Sequence, residues 1–163
     1  MKVLGIDTSL RSTGYAVLEK EGSRFSVVEY GTIKNQQKAK LTSCVRNLFE
    51  KTSQLLERHS PDAVSVEGVI YAKNALTTLA LGQARGAVLA AAAISAVEVF
   101  EYEPRRMKRA VCGNATADKA QIQQMVKTLF HLPEVPQNDA ADAMGLAFCH
   151  INSNSLLKRE ESI

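Results

Sequence analysis

The pattern of hydrophobic and polar positions along the chain predicts a mixed α/β fold. Strand-like runs come first, at residues 2–7, 14–19 and 25–34, and the turn-forming residues between them favour an antiparallel meander. Apolar residues then recur at helical spacing over residues 41–56, which predicts an amphipathic helix of about five turns. The first third of the chain therefore predicts three strands followed by one helix.

The rest of the chain alternates strands and helices. A short apolar strand at residues 63–66 stops at Glu67, and residues 74–96 predict a long helix, apolar on nearly every side, that should be deeply packed. A fifth strand at 97–102 and helices at about 116–130 and 136–151 follow. This order predicts a five-stranded mixed sheet with helices on both faces. One domain should span residues 1–151, and residues 152–163 should form a flexible tail.

Composition and cysteine use indicate an ordinary globular protein of the cytoplasm. The chain has 163 residues, of which 45% are hydrophobic and 23% charged, which argues against disorder. Four apolar residues before Asp7 are too few for a signal peptide, and the apolar stretch 86–97 is too short to span a bilayer. Cys44, Cys112 and Cys149 are far apart and odd in number, so we expect reduced thiols.

Two predicted strands end in a carboxylate. Asp7 closes the first strand, in LGID, and Glu67 closes the fourth, in SVE. If these strands are parallel neighbours, both side chains open at the same edge of the sheet, where α/β proteins usually place their sites. The alternatives are that Asp7 begins a turn and that Glu67 simply faces water.

The segment NDAADAMGLA adds two more carboxylates, Asp139 and Asp142. Residues three apart share a helix face, and like charges at that spacing repel unless something compensates them. A helix N-terminus supplies part of that compensation, so capping is one interpretation. The other is that one helix presents two ligands for a divalent cation.

Together the four carboxylates suit a hard cation, which takes oxygen ligands. Two Mg²⁺ ions about 4 Å apart, for which Mn²⁺ could substitute, would stabilise an in-line phosphoryl displacement. Residues 104–131 carry six Lys and Arg residues against one acidic residue, Asp118. Such a stretch is either a solvated helix face or a contact surface for a nucleic-acid backbone.

Five segments give the sequence a resemblance to a known family. The chain resembles RuvC, the bacterial Holliday-junction resolvase family of the RNase H-like nuclease superfamily, over residues 2–150. The resemblance rests on LGID with STGYAV, VEGVIYAKNALTTLALGQARGAV, VFEYEPRRMK, TADKAQIQQMV and NDAADAMGLA. The run AKNALTTLALGQARG and the terminal DAAD are specific to this family.

This resemblance implies roles for individual residues. It places Asp7, Glu67, Asp139 and Asp142 on the catalytic, metal-binding carboxylates. Lys108 and Lys119 match basic positions near the scissile phosphate or the DNA, and Lys119 is assigned a catalytic role. Further predicted DNA contacts are Lys73, Arg85 and Arg105.

The resemblance also implies how the protein would act. It implies a homodimer with two magnesium-dependent active sites that nicks two strands of a four-way DNA junction symmetrically. The products would carry 5′-phosphate and 3′-hydroxyl ends, and the RuvA–RuvB branch-migration complex would be the partner.

The sequence departs from the family pattern in two places. Asp7 is followed by Thr8 and Ser9, where most relatives have Pro and Gly. Gly68, Val69 and Ile70 replace Gln-Val-Phe, and the aliphatic Ile70 cannot stack on a base as the aromatic would. Two alternatives therefore stay open: a related nuclease with another nucleic-acid substrate, and a non-catalytic junction-binding protein.

Overall fold

The structure, a computed structural model, describes residues 1–68, 74–153 and 162–163. Five strands and five helices lie within these residues. In chain order they are β1 (Lys2–Asp7), β2 (Ser12–Glu21), β3 (Arg24–Lys34), α1 (Leu41–His59), β4 (Ala63–Glu67), α2 (Ala75–Ile94), β5 (Val99–Tyr102), α3 (Pro104–Cys112), α4 (Lys119–Leu129) and α5 (Asn138–Ser153).

The five strands form one mixed sheet in the order β3-β2-β1-β4-β5. Strands β1, β2 and β3 pair antiparallel, whereas β4 runs parallel to both β1 and β5. Ile6 of β1 lies beside Val66 of β4, so the carboxyl ends of these two strands coincide. The predicted meander and the predicted parallel strands are confirmed.

Alternating side chains divide the sheet into two faces. Leu4 and Ile6 of β1 pack with Val64 and Val66 of β4 in a core closed by α1 and α2. Val3 and the other odd-numbered positions of β1 point to the opposite face, which α5 covers with α3 and α4 beside it. Helices therefore cover both faces, as predicted.

Helix α5 lies directly on the backbone of β1 and β2. A Cβ atom at Gly5 would overlap the carbonyl oxygen of Ala143, and one at Gly14 would overlap the carbonyl oxygen of Asp139. Ser65 of β4 adds a buried hydrogen bond, since its Oγ donates to the carbonyl oxygen of Leu146 at 2.9 Å. Two glycines thus set the distance between the helix and the sheet.

The prediction that the long helix is deeply packed is wrong for the first half of α2. Its buried residues all lie between Ala84 and Ala92, whereas Leu76 and Leu79 are 76% and 59% exposed. Strands β4 and β5 have five and four residues, which at about 3.3 Å per residue cover roughly half of a helix about 30 Å long. By length and composition α2 could cross a membrane, although part of it is buried in this fold.

Helix α3 was not predicted, and several predicted boundaries shift by one to three residues. Four of its nine residues are Lys or Arg, which hides the apolar pair Met107 and Val111 that it buries. Strand β2 begins two residues earlier than predicted and β5 two residues later. The predicted tail starts too early, because α5 includes residues 152 and 153; residues 154–161 lie outside the described residues.

The close approach of α5 predicts an unequal response to alanine at two glycines. Gly5→Ala should lower the free energy of unfolding by about 3 kcal/mol or more, because the added methyl group meets helix backbone that cannot move aside. Gly22→Ala is the matched control: its Cβ meets nothing within 4 Å, and only the positive φ of 60° opposes it. That change should lower the free energy by about 1 kcal/mol. Equal losses in urea unfolding would contradict this account of the helix–sheet contact.

Candidate active site

The ends of β1 and β4 bring the first two predicted carboxylates together. Asp7 follows Ile6 and Glu67 follows Val66, and these two neighbours are paired in the parallel ladder. Since Ile6 and Val66 both face α1 and α2, strand alternation turns the side chains of Asp7 and Glu67 toward α5. The predicted convergence at one sheet edge is therefore present.

Helix α5 supplies the other two carboxylates. Asp139 lies in its first turn, and its backbone rests against Gly14, the residue that pairs with Asp7 across β1 and β2. The Oγ of Ser12 donates a hydrogen bond to one carboxylate oxygen of Asp139, so β2 orients this side chain. Asp142 lies one helical turn later on the same face.

The electrostatics show that the four carboxylates act on one another. Burial, and then the negative charges of Glu67, Asp142 and Asp139, raise the pKa of Asp7 to about 7. Burial also raises the pKa of Glu67 and of Asp142, and neighbouring carboxylates add to both shifts. Such mutual repulsion in a half-buried cluster is typical of functional sites.

Two lysines on separate helices offset part of this negative charge. Lys119 opposes the rise in the pKa of Asp7, Glu67 and Asp142, and Lys108 opposes it at the last two. Lys119 is the first residue of α4, whose start is fixed by a reciprocal capping box between Asp118 and Gln121. Both lysines are therefore close enough to the carboxylates to interact with their charges.

The donor set fits a hard divalent cation. All four groups offer carboxylate oxygens, the ligands that Mg²⁺ and Mn²⁺ prefer. Among the described residues, no three His, Cys, Asp or Glu side chains are already arranged to hold one ion. Carboxylates repel each other, so a cation among them would draw them together by side-chain rotation about backbone positions that the fold already fixes.

Of the other three residues that were predicted to contact DNA, the two that the structure describes differ in their exposure. Arg105 is exposed on α3, the helix that also carries Lys108. Lys73 lies outside the described residues, as do Ile70 and Tyr71. Arg85 is only 7% exposed, so its position favours a structural role over a DNA contact.

Sequence reasoning missed two polar contacts near the carboxylates. Ser12 was included in the predicted turn before β2, although it begins that strand and bonds Asp139. Glu101 on β5 pairs with Arg85, a contact that depends on which face of the sheet each residue occupies. The strand alternation of β5 could have placed Glu101 on the α2 side, but nothing in the sequence identifies Arg85 as its partner.

The raised pKa of Asp7 predicts a pH-dependent stability. Its value of about 7 in the folded state exceeds the ordinary 3.8, so between these pH values the folded protein binds the extra proton. Stability without divalent cations should therefore fall as pH rises from about 4 to about 7. Asp7→Asn removes that loss, so it should stabilise the cation-free protein by about 2–4 kcal/mol at pH 8 and by much less at pH 4. Thermal unfolding in EDTA at both pH values measures the difference; equal stabilisation at both would contradict the raised pKa.

Comparisons with known proteins agree with this arrangement. Residues 3–150 match the family described as crossover junction endodeoxyribonuclease RuvC. The protein of that name from Geotalea uraniireducens (strain Rf4) is 43% identical over 156 residues, covering 96% of this chain and 91% of the relative. The one from Geobacter sulfurreducens is 44% identical over 153 residues, covering 94% and 93%.

Solved structures extend the agreement to three dimensions. T. thermophilus RuvC in complex with a Holliday junction substrate superposes with a TM-score of 0.93 at 27% identity, covering 100% of this chain and 99% of the other. A second Thermus thermophilus RuvC structure gives 0.88, also at 27% identity, over the full length of both chains. The RNase H-like fold that the resemblance implied is thereby confirmed. With 148 residues matched to the family and two relatives above 40% identity, the chain belongs to the RuvC family of crossover junction endodeoxyribonucleases.

Proposed function

We propose that the protein is a crossover junction endodeoxyribonuclease that resolves four-way DNA junctions in recombination and repair. The observation that carries this proposal is the convergence of four carboxylates and Lys119 at one sheet edge in a chain of the RuvC family. A non-catalytic junction binder would have no need of a carboxylate cluster that raises the pKa of Asp7 to about 7.

The four carboxylates would bind the divalent cations. Asp7, Glu67, Asp139 and Asp142 would hold two Mg²⁺ ions, and Asp7 would be central to the set because its charge interacts with all three others. Bound divalent cations supply Lewis-acid activation of a water and neutralise charge on the scissile phosphate. Mn²⁺, with similar preferences for oxygen ligands, could replace Mg²⁺.

The basic side chains act on the substrate. Lys119 is placed to offset the negative charge that builds on the phosphate during displacement, as a preorganised cationic group does. Lys108 stands beside Glu67 and Asp142, and the exposed Arg105 extends the positive surface along α3. These two residues, and Lys73, would position the DNA backbone, and the products would carry 5′-phosphate and 3′-hydroxyl ends.

Symmetric nicking of a junction needs two active sites, and we propose that α2 provides the dimer contact. Its exposed side presents Leu79, Gly82, Gly86 and Ala90, spaced three or four residues apart. Beside them a groove of about 550 Å³, with apolar walls from Val45 and Phe49 among others, separates α1 from α2. A second copy of this helix could approach closely along the glycines, burying leucine side chains that are otherwise in water.

Cellular context follows from the proposed substrate. Junction DNA in a bacterial cell lies in the cytoplasm, where the free thiols Cys44, Cys112 and Cys149 would remain reduced. The RuvA–RuvB complex, which would deliver the junction, is the partner we assign. If RuvA–RuvB does not stimulate junction cleavage by this protein in a reconstituted reaction, that assignment is wrong.

The substrate test uses a synthetic four-way junction with a mobile core and a linear duplex of the same sequence. In Mg²⁺ the protein should cut the junction with paired nicks and leave the duplex intact, and EDTA should abolish cleavage. Asp7→Asn should still bind the junction in Ca²⁺ but should cleave at least about 1000-fold more slowly, because it loses a carboxylate that would bind the cations. Cleavage of the duplex would favour the alternative nuclease, and binding without cleavage under every divalent ion would favour the junction binder.

The role of Lys119 predicts a separation of rate from affinity. Lys119→Ala should reduce the single-turnover cleavage rate on the order of 10–100-fold, because it removes a preorganised charge, while junction binding changes little. Lys127, in the last turn of the same helix, offers the matched control, since Lys127→Ala removes a similar charge away from the carboxylates. Equal effects of the two substitutions on the rate would rule out a specific role for Lys119.

The proposed dimer surface can be tested by introducing a charged side chain into it. Leu79→Glu should convert the protein from dimer to monomer in analytical ultracentrifugation, because an unpaired carboxylate in an apolar interface is strongly unfavourable. Leu129→Glu, which alters an exposed leucine of α4, should leave the dimer intact. A dimer that survives Leu79→Glu would place the interface elsewhere.

A further inference from the structure

An ion pair lies behind the end of β4, on the opposite side of the sheet from the four carboxylates. Arg85 of α2 is 7% exposed, and its Nη1 donates a hydrogen bond to the backbone carbonyl oxygen of Glu67 at 2.8 Å. Its Nη2 pairs with the carboxylate of Glu101 on β5, whose side chain is 34% exposed. One guanidinium thus connects α2, β4 and β5 at the position of a predicted metal ligand.

Strand alternation explains why the Glu67 side chain and the Arg85–Glu101 ion pair lie on opposite faces of the sheet. Glu67 turns its carboxylate toward α5, whereas Glu101, which pairs with Val66, turns toward α2 on the other face. Glu67 is the last residue of β4, and just beyond it the N–H of Gly68 donates to the carbonyl oxygen of Tyr102 at 2.9 Å. Arg85 therefore anchors the strand at the point where the sheet ends.

The carbonyl contact fixes the backbone from which the Glu67 side chain projects. A charged donor gives a stronger hydrogen bond than a neutral one, and Glu101 holds that donor in place through its second nitrogen. Ligands must be held within about 0.5 Å to bind and react productively, so the orientation of the Glu67 backbone matters for its carboxylate. Lys108 and Arg105, which we propose to position the DNA, lie on α3 rather than on α2.

We propose that Arg85 is a positioning residue for Glu67 and that Glu101 keeps Arg85 in place. The proposal rests on the proposed function, because it takes Glu67 to be a metal ligand. Arg85 also lies on α2, the helix of the proposed dimer contact, between Gly82 and Gly86. The same helix would then contact the partner copy on one side and orient a metal ligand on the other.

The test measures cation binding directly and cleavage separately. Arg85→Met keeps most of the side-chain stem and removes the donors, and Arg85→Lys keeps the charge but cannot reach both partners with one planar group. The double variant Arg85→Met/Glu101→Gln removes the unpaired acid that could unfold the single variant. Calorimetric titration with Mn²⁺ gives the affinity, hydrogen exchange reports the backbone near Gly68, and junction binding is followed in Ca²⁺.

We expect the two methionine variants to bind Mn²⁺ about 10–100-fold more weakly, as happens when groups that orient metal ligands are removed. The Mg²⁺ concentration for half-maximal cleavage should rise by a similar factor, with Arg85→Lys in between and exchange near Gly68 faster. Junction affinity in Ca²⁺ should stay within about twofold, because Arg85 is shielded from the DNA. A selective loss of junction affinity would overturn the proposal in favour of the DNA contact.

Two reference variants separate the possible failures. Arg58→Met breaks another ion pair, with Glu29 across α1 and β3, and should reduce stability without changing Mn²⁺ affinity. If it weakens Mn²⁺ binding as much as Arg85→Met does, the positioning role is refuted. Glu67→Gln removes the ligand itself: wild-type protein that binds Mn²⁺ no better than Glu67→Gln contradicts the proposed function. Normal wild-type affinity that Arg85→Met leaves unchanged contradicts only the positioning role.

Discussion

The contact of α5 with the bare backbone of β1 and β2 determines the rest of the site. Gly5 and Gly14 allow helix carbonyl groups to rest on the strands, at a distance that no larger residue permits. Because Asp139 belongs to the turn that touches Gly14, its distance from Asp7 is set by backbone geometry rather than by flexible side chains. The helices on the other face reach the carboxylates indirectly, through the hydrogen bond from Arg85 of α2 to the backbone of Glu67.

This arrangement concentrates electrostatic repulsion between carboxylates at one edge of the sheet. Carboxylates that are partly removed from water and close to each other favour the protonated form, which is why the pKa of Asp7 rises. Lys119 and Lys108 reduce the repulsion from two further helices, so the start of α4 and the middle of α3 belong to the site as much as the strand ends do. The protein can fold despite the cost of this repulsion because a hydrophobic core on each face of the sheet stabilises it.

Much of the fold could be predicted from the sequence, because strand alternation and helical spacing are strong for most elements. The four carboxylates of the candidate site could also be predicted, since Asp7 and Glu67 end apolar strands and Asp139 and Asp142 share a helix face. Helix α3 escaped prediction because its charged residues outnumber the few apolar ones that it buries.

Other features depend on neighbours that periodicity does not reveal. An apolar helix looks equally buried whether long or short strands lie beneath it, and β4 and β5 proved too short to cover α2. Arg85 looked like a free positive charge in the sequence, and only the topology of the sheet brings Glu101 and the carbonyl group of Glu67 to it. Long-range pairs of this kind depend on the order of the strands and on the face of the sheet that each side chain occupies, not on local composition.

The order of the site residues along the chain has a consequence for biosynthesis. Asp7 lies in the first strand of the fold and Asp139 and Asp142 in its last described helix, so Asp7 leaves the ribosome well before the other two. A nascent or partly folded chain therefore keeps its carboxylates scattered, and the cluster exists only after α5 has docked on β1 and β2. Incomplete chains would therefore lack the carboxylate cluster and, with it, the proposed nuclease activity.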